Sequence, residues 1–195
     1  MSANNNTNKQ KNIAKILIMG LDNSGKTSIL LSLQHEMNLL SYYSLKPTPG
    51  VNIVTIDKED TKFLIWELGG QQQYRDEYLD NLEKYIQETK KFIYVIDVQD
   101  IDRYETALKY FADILKLMST EDMKNIQLSI FLHKFDPGLD KKPEFSYRKI
   151  SSRLIDRISN IIPADINYYI FKTTIYTVFE KKLLESVADE IFTLL

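Results

Sequence analysis

The segment Gly20-Leu-Asp-Asn-Ser-Gly-Lys-Thr27 has the most specific spacing for chemistry in the chain. It fits the pattern G-x-x-x-x-G-K-[ST], in which the backbone N–H groups of a glycine-rich loop and of the following helix N-terminus bind phosphate oxygens. In that arrangement Lys26 reaches the β- and γ-phosphates, and the hydroxyl of Thr27 ligates Mg²⁺. A chance match is disfavoured because a predicted strand precedes the loop and a predicted helix follows it.

A second segment, His133-Lys134-Phe135-Asp136, follows another predicted strand and suits recognition of a purine base. A carboxylate has two acceptor oxygens, so Asp136 can accept from both N1–H and the exocyclic amine of guanine, whereas adenine offers no matching donor pair. Charge-assisted bonds of about 1.5–3 kcal/mol each would discriminate strongly. By itself a Lys-x-Asp turn is usually solvated, and its place at a strand end favours base recognition.

Two further segments carry groups that suit a metal ion and a γ-phosphate. Glu67-Leu-Gly-Gly-Gln71 offers a carboxylate for Mg²⁺, the N–H of Gly70 for a phosphate oxygen, and the side chain of Gln71 to orient a water molecule. Thr48, in a proline-flanked stretch, supplies a hydroxyl and a carbonyl. Each segment alone is more often structural, so their interpretation depends on their occurring together with the phosphate loop.

The elements that must position these residues alternate between strands and helices. We predict strands over 13–19, 51–56, 62–66, 92–97, 126–132 and 168–171, and helices over 26–38, 76–88, about 107–118 and 147–161. Phe179, Leu183, Val187 and Ile191 predict a C-terminal helix. This α/β order predicts a mainly parallel six-stranded sheet with one antiparallel strand and helices on both faces. Such sheets bind ligands at the carboxyl ends of their strands.

Length and composition exclude several classes of protein. The 195 residues, 44% hydrophobic and 27% charged, suit one soluble domain rather than a disordered or fibrous chain. No apolar run approaches the roughly 18 residues that a membrane-spanning helix needs. Residues 1–12 read as a flexible polar tail without the features of a signal peptide, and 13–195 as the domain. We therefore expect a cytoplasmic protein.

Residue usage also bounds the partners. The chain has no cysteine, which excludes disulfides, thiolate metal sites, palmitoylation and prenylation, and Ser2 stands where N-myristoylation needs glycine. We expect any membrane association to be indirect, through a partner. The 27 acidic and 25 basic residues nearly cancel, so we expect no nucleic-acid binding.

With these four motifs in their order along the chain, the sequence resembles the small GTPases of the Ras superfamily from about Ile13 to Leu195. Two branches share the resemblance. The phosphate loop and Pro47-Thr-Pro-Gly50 are similar to the Arf branch, whereas His133-Lys-x-Asp136 and Phe171-Lys-Thr-Thr174-Ile175 are similar to the Rag/Gtr branch. The second, roadblock-type domain of Rag proteins has no counterpart in these residues, so we expect a single P-loop NTPase G domain between the two branches.

The resemblance implies a guanine-nucleotide site residue by residue. The phosphates of GTP or GDP would be bound by Asp22, Asn23, Ser24, Gly25, Lys26 and Ser28. Mg²⁺ would be held by Thr27 and Thr48, with Glu67 behind it. The base would be bound by His133, Lys134 and Asp136, backed by Thr174. The catalytic residues would be Gln71, which orients the attacking water, Gly70, which senses the γ-phosphate, and Lys26.

Two positions depart from the usual family residues. Glu67 stands where most members carry Asp, and its extra methylene would displace a bridging water or crowd the metal. His133 stands where most carry Asn, and a neutral ring nitrogen can still bond the base or the phosphate loop. The Rag branch tolerates this histidine.

The resemblance implies a switch that hydrolyses GTP to GDP and changes the surface of residues 39–50 and 68–80. Activating proteins, exchange proteins and effectors would bind there. No arginine lies between Lys46 and Gln73, so intrinsic hydrolysis should be slow, and Arg75 is a possible internal substitute for a partner's arginine. The alternative is a scaffold that binds GTP or GDP without turnover, or one half of a Rag-like GTPase dimer. An ATP-dependent kinase is disfavoured because Asp136 rejects adenine.

Overall fold

The computed structural model of the chain describes residues 11–34, 42 and 44–175. The predicted C-terminal helix of Phe179, Leu183, Val187 and Ile191 lies outside these residues. Most of the predicted tail and residues 35–38 of the helix predicted over 26–38 also lie outside them. The described part of that helix already ends at Ser32, with Leu33 as its C-cap, so the helix is shorter than predicted.

Strands and helices alternate along the described part of the chain. The strands are β1 (Asn12–Gly20), β2 (Val51–Lys58), β3 (Thr61–Leu68), β4 (Thr89–Asp97), β5 (Gln127–His133) and β6 (Tyr168–Lys172). The helices are α1 (Lys26–Ser32), α2 (Gln72–Asp80), α3 (Leu82–Ile86), α4 (Tyr104–Leu117), α5 (Thr120–Asn125), α6 (Tyr147–Ile150) and α7 (Asp156–Ile161). A π-helical turn, Ser151–Ile155, joins α6 to α7, so the helix predicted over 147–161 is present with an irregular centre.

The six strands form one sheet in the order β2-β3-β1-β4-β5-β6. Only β2 and β3 pair antiparallel, and the other four neighbouring pairs are parallel. The prediction of a mainly parallel six-stranded sheet with one antiparallel strand is therefore confirmed. Among the described residues, no helix is long and apolar enough to cross a membrane.

Alternation along β1 builds a core on each side of the sheet. Ile16 and Ile18 pack with residues of α1, whereas Leu17 and Met19 join the larger cluster that contains α4. All four side chains are fully buried, as expected for a central strand of a parallel sheet. The helices on both faces thereby hold the carboxyl end of β1, where the phosphate loop begins.

Two helical regions, the one after β3 and the one after α4, differ from the sequence prediction. The helix predicted over 76–88 begins earlier, at Gln72, and breaks at Asn81, whose φ of −127° and ψ of 28° are not helical. Helix α5 was not predicted because six residues are too few for an apolar period. Its capping signal was available, since the side chain of Ser119 accepts a hydrogen bond from the N–H of Asp122 at 3.0 Å.

The strand ends bring the predicted loops to one edge. The loops of Gly20, Gly69 and Gly138 follow β1, β3 and β5, respectively, whereas that of Gly50 precedes β2. Gly20 has a φ of 148°, and a Cβ at this position would lie 2.3 Å from the carbonyl oxygen of Val95. Only glycine therefore lets β1 approach β4 this closely before the chain turns into the phosphate loop.

The larger core depends on an aromatic contact. The rings of Phe111 on α4 and Tyr94 on β4 lie 4.7 Å apart, and Phe111 is fully buried. We expect Phe111→Ala to lower the free energy of unfolding by about 3–5 kcal/mol, because it leaves a cavity. The matched control on the same helix is Leu117→Ala, which removes a side chain that is 56% exposed. Urea unfolding of both variants checks this, and equal losses would contradict it.

Candidate functional site

The phosphate loop connects β1 to α1 and closes around a buried lysine. Lys26 is 5% exposed, and its Nζ donates to the carbonyl oxygens of Gly20 at 3.0 Å and Leu21 at 2.8 Å. Burial lowers the pKa of Lys26 to about 8, although Glu67 and Asp22 partly oppose the shift. Since an ammonium has three donors, two carbonyl partners leave one donor for a ligand.

A cavity of about 200 Å³ opens beside this lysine. Three separate segments line it. From the sequence-predicted set it contains Asp22, Asn23, Gly25, Lys26, Thr27, Ser28, Thr48, Glu67, Gly70 and Gln71. The structure thus brings together most of the residues predicted to bind phosphate and metal. Ser24 is the exception, since its side chain is 2% exposed and does not line the cavity.

The three residues predicted to hold Mg²⁺ meet at one point of the cavity. The hydroxyls of Thr27 and Thr48 lie 3.0 Å apart, and both donate to Oε1 of Glu67, from Thr48 at 3.1 Å. Oε2 of Glu67 accepts from Nδ2 of Asn52 at 3.1 Å. The side chain of Glu67, which is one methylene longer than that of Asp, thus reaches both hydroxyls directly and needs no bridging group.

This oxygen set fits Mg²⁺. Magnesium prefers hard oxygen ligands and is usually held by one or two carboxylates together with substrate phosphates. Glu67 is 1% exposed, so its carboxylate is withdrawn from solvent. In the described part of the chain there is no group of three or more His, Cys, Asp or Glu side chains that would suit a different kind of metal centre.

The glycines after β3 lie against the other two loops. A Cβ on Gly70 would fall 2.1 Å from the backbone nitrogen of Asp22, so Gly70 packs directly on the phosphate loop. The N–H of Gly69 donates to the carbonyl oxygen of Gly50 at 2.8 Å. Gln71 follows at the start of α2, and its Oε1 is buried without a hydrogen-bond partner among the described residues. Residues 48–50 and 69–71 are therefore joined beside the cavity.

Residues 133–136, here called the base loop because they are predicted to bind the purine base, also belong to a cluster of hydrogen-bonded side chains. Asp136 accepts at Oδ1 from the hydroxyl of Thr174 at 2.6 Å and at Oδ2 from Nε2 of Gln99 at 2.8 Å. Lys134 has a φ of 60°, and its Nζ pairs with Oδ2 of Asp97 at 2.6 Å. Lys134, Asp136 and Thr174 are thus brought together at the carboxyl ends of β5 and β6.

His133 joins this cluster to the phosphate loop. Its Nδ1 lies 2.9 Å from the hydroxyl of Thr173, and a Cβ on Gly25 would fall 2.3 Å from its Cδ2. Gly25 has a φ of 95°, so this position needs glycine both for backbone conformation and for the close approach of the ring. Burial, followed by the charge of Lys134, lowers the pKa of His133 to about 4, whereas Asp136 opposes the shift. The ring is therefore neutral near pH 7.

Sequence reasoning missed several residues of these clusters. They are Asn52, Asp97, Gln99, Arg103 and Thr173. Arg103 donates from Nη1 to Oδ1 of Asp22 at 3.0 Å and so supports the phosphate loop from outside. The available signal was the carboxyl end of β4, since a parallel sheet places Asp97 and Gln99 beside the ends of its neighbours.

The phosphate-loop geometry agrees with a family-level match. A family model described as "Arf: ADP-ribosylation factor family" matches residues 1–187. The chain belongs to the Arf family. Of the two branches that the motifs resemble, this match places the chain in the Arf branch of the Ras-superfamily small GTPases. The family as a whole binds guanine nucleotides.

Individual Arf relatives cover part of the chain. ADP-ribosylation factor 1 of Brassica rapa is 39% identical over 126 residues, which are 64% of this chain and 63% of that protein. ADP-ribosylation factor-like protein 1 of Saccharomyces cerevisiae is 34% identical over 149 residues, 76% of this chain and 75% of that protein. The chain therefore spans less than two thirds of the length of the Brassica relative.

A solved structure shares the Arf fold. The Arl6 BBS3 small GTPase from Trypanosoma brucei, with a bound nucleotide analogue, superposes with a TM-score of 0.62. It is 19% identical in sequence, and the match covers 91% of this chain and 98% of that one. At this identity the likeness establishes the small-GTPase fold.

The buried histidine makes stability depend on pH. The folded-state pKa of His133 is about 4 against 6.5 for a free side chain, so the unfolded chain binds the extra proton first. Its contribution is complete above pH 6.5 and is lost as pH falls towards 4, on the order of 3 kcal/mol. We expect the free energy of unfolding to change less between pH 4.5 and pH 7 in His133→Asn than in the wild type. Urea unfolding of both proteins at both pH values measures this. Parallel pH profiles for both proteins would contradict it.

Proposed function

We propose that this Arf-family protein is a guanine-nucleotide-dependent switch that hydrolyses GTP to GDP. The observation that carries the proposal is the convergence of Lys26, Thr27, Thr48 and Glu67, from three separate segments, around one cavity. Family membership supports guanine-nucleotide binding. The polar cluster around Asp136 at the same edge of the sheet supports selection of the base.

The phosphates of the nucleotide would lie along the loop that lines the cavity. Backbone N–H groups of Asn23 to Ser28 and the N-terminus of α1 would donate to phosphate oxygens. Lys26 would contribute its remaining donor to the β- and γ-phosphates. A polyphosphate beside the buried ammonium would also favour its charged form, which burial alone disfavours.

Thr27 and Thr48 would hold Mg²⁺ through their hydroxyls, and Glu67 would add its carboxylate. When bound, the ion neutralises charge that develops on the phosphate oxygens. Asn52 would keep the carboxylate of Glu67 oriented, since it donates to the oxygen that faces away from the two hydroxyls.

For hydrolysis, a water molecule would attack the γ-phosphorus as the bond to the bridging oxygen breaks, giving GDP and inorganic phosphate. The side chain of Gln71 would orient this water, and the N–H of Gly70 would donate to the γ-phosphate. The Oε1 of Gln71, which has no hydrogen-bond partner among the described residues, supports this role, because a buried acceptor favours a donor such as water.

The two described arginines beside these loops, Arg75 and Arg103, contact other protein groups, so we expect intrinsic hydrolysis to be slow. Arg103 is engaged with Asp22 and Asp100, and the guanidinium of Arg75 lies 5.3 Å from the ring centre of Tyr110. An activating partner that inserts an arginine would accelerate the reaction by roughly 10³–10⁵-fold.

The switch would act through residues 39–50 and 68–80. The bond from Gly69 to Gly50 and the contact of Gly70 with the phosphate loop couple both segments to the cavity. Loss of the γ-phosphate would release them and alter the surface offered to activating proteins, exchange proteins and effectors. We further propose a cytoplasmic protein with a G domain over 13–195 and membrane contact only through partners.

Base selection can be tested at Asp136. We expect Asp136→Asn to weaken GDP binding at least roughly tenfold and to strengthen xanthosine diphosphate binding, because an amide offers a donor where xanthine has an acceptor. Titration with fluorescent analogues of both nucleotides measures this. Asp140→Asn is the matched control, since Asp140 is exposed in the same loop. The base assignment would be overturned if ATP bound the wild type as tightly as GTP.

Hydrolysis can be tested at Gln71. We expect Gln71→Leu to lower single-turnover phosphate release roughly tenfold or more, with GTP affinity nearly unchanged, because the variant loses only the group that orients water. Gln73→Leu on the exposed side of α2 is the control. Chelation of Mg²⁺ should lower release from wild type and both variants. Equal, near-zero release from all three proteins with Mg²⁺ present would favour the alternative, a nucleotide-binding scaffold or one half of a GTPase dimer.

A further inference from the structure

A single amide, that of Gln99, bridges two acceptors of the base loop. Gln99 lies two residues beyond the end of β4, and its Nε2 donates to the carbonyl oxygen of Lys134 and to Oδ2 of Asp136, both at 2.8 Å. Lys134 has a positive φ, so its carbonyl is turned out of the regular strand direction. The two bonds of Gln99 fix this turn and the carboxylate that follows it.

The two oxygens of Asp136 are each held by a different segment. Gln99 donates to Oδ2 from the end of β4, and Thr174 donates to Oδ1 from the chain after β6 at 2.6 Å. With one donor on each oxygen, the carboxylate cannot rotate without losing a bond. Each oxygen keeps a further lone pair, so the fixed group still presents two adjacent acceptors.

The position of Gln99 is itself fixed by Asp97, the last residue of β4. Its backbone N–H donates to Oδ1 of Asp97 at 2.9 Å, and the other oxygen of Asp97 pairs with Lys134. The N–H of Val98 donates to the carbonyl oxygen of His133 at 3.0 Å. Asp97, Val98 and Gln99 therefore all bind the base loop. Of the three, Gln99 binds the carboxylate of Asp136.

We propose that Gln99 is a positioning residue for base specificity, which holds the Asp136 carboxylate so that both of its oxygens face the two donors of guanine. This inference rests on the proposed function, because it concerns how the same site reads its base. Gln99 acts through Asp136 and is not assigned a contact with the nucleotide.

A carboxylate held in this way distinguishes guanine from hypoxanthine. Guanine offers N1–H and an exocyclic amine side by side, whereas hypoxanthine offers N1–H alone. A carboxylate of fixed orientation accepts from both donors of guanine and so favours GDP over inosine diphosphate. Without Gln99 the carboxylate turns about its bond to Thr174, and the second acceptor moves away from the amine.

The test compares GDP and inosine diphosphate on the full chain carrying Gln99→Met, which keeps the length of the side chain and removes the donor. We expect GDP affinity to fall roughly tenfold and inosine diphosphate affinity to fall by less, so that the ratio of the two affinities drops about threefold or more. Gln99→Glu should lower the ratio further, because its carboxylate repels that of Asp136. The control is Gln87→Met, an exposed glutamine at the opposite end of β4.

The possible outcomes separate the two proposals. Gln99 is exposed, so Gln99→Met should still fold, with a melting temperature close to that of the wild type. A ratio of affinities that falls in this folded variant supports the inference. If both nucleotides weaken equally in Gln99→Met and in Gln99→Glu, Gln99 does not position the carboxylate, and the inference is wrong while the proposed function stands. If the wild type binds neither nucleotide, the proposed function itself is wrong, and this inference with it.

Discussion

Ile18 of β1 pairs in parallel with Glu67 of β3, and Gly20 pairs in parallel with Val95 of β4. Because parallel strands run in one direction, their carboxyl ends, and the loops that follow them, lie at the same edge. The pairing of Asp97 with His133 extends the edge to β5. A slip of one residue would turn Glu67 to the other face of the sheet, so the whole site depends on this register.

Two opposite charges are buried at this edge, each among dipoles of the chain. Lys26 is bound by two carbonyl oxygens, and Glu67 by two hydroxyls and an amide. Burying a charge is unfavourable unless hydrogen bonds and an opposite charge compensate it. Glu67 is the largest favourable influence on the charge of Lys26, so the two loops stabilise each other electrostatically.

The sequence allowed the phosphate loop to be predicted because its signal is local, eight consecutive residues between a strand and a helix. The strands of the sheet could be predicted for the same reason, since alternation and apolar runs are read over a few positions. The contacts made by Asn52, Gln99 and Arg103 could not, because their partners lie 15, 37 and 81 positions away. Such pairs follow from strand order, and a single sequence carries no spacing that reports it.

The break at Asn81 and the short helix α5 mark a second limit. Apolar periodicity averages over several turns, so it merges α2 with α3 and overlooks six residues of helix. The bounds of these elements depend on caps and on single backbone angles. Those features are set by tertiary packing as much as by local preference.

The imidazole of His133 lies between Thr173 and Gly25 and so separates the loop that carries Asp136 from the phosphate loop. Protein interiors are nearly incompressible, so a ring in van der Waals contact transmits a displacement of the glycine to the strand end behind it. The two recognition loops therefore move as one unit, whereas an arrangement bridged by solvent would let each adjust alone. A ligand bound at either loop would thus change the shape, and not only the charge, of the other loop.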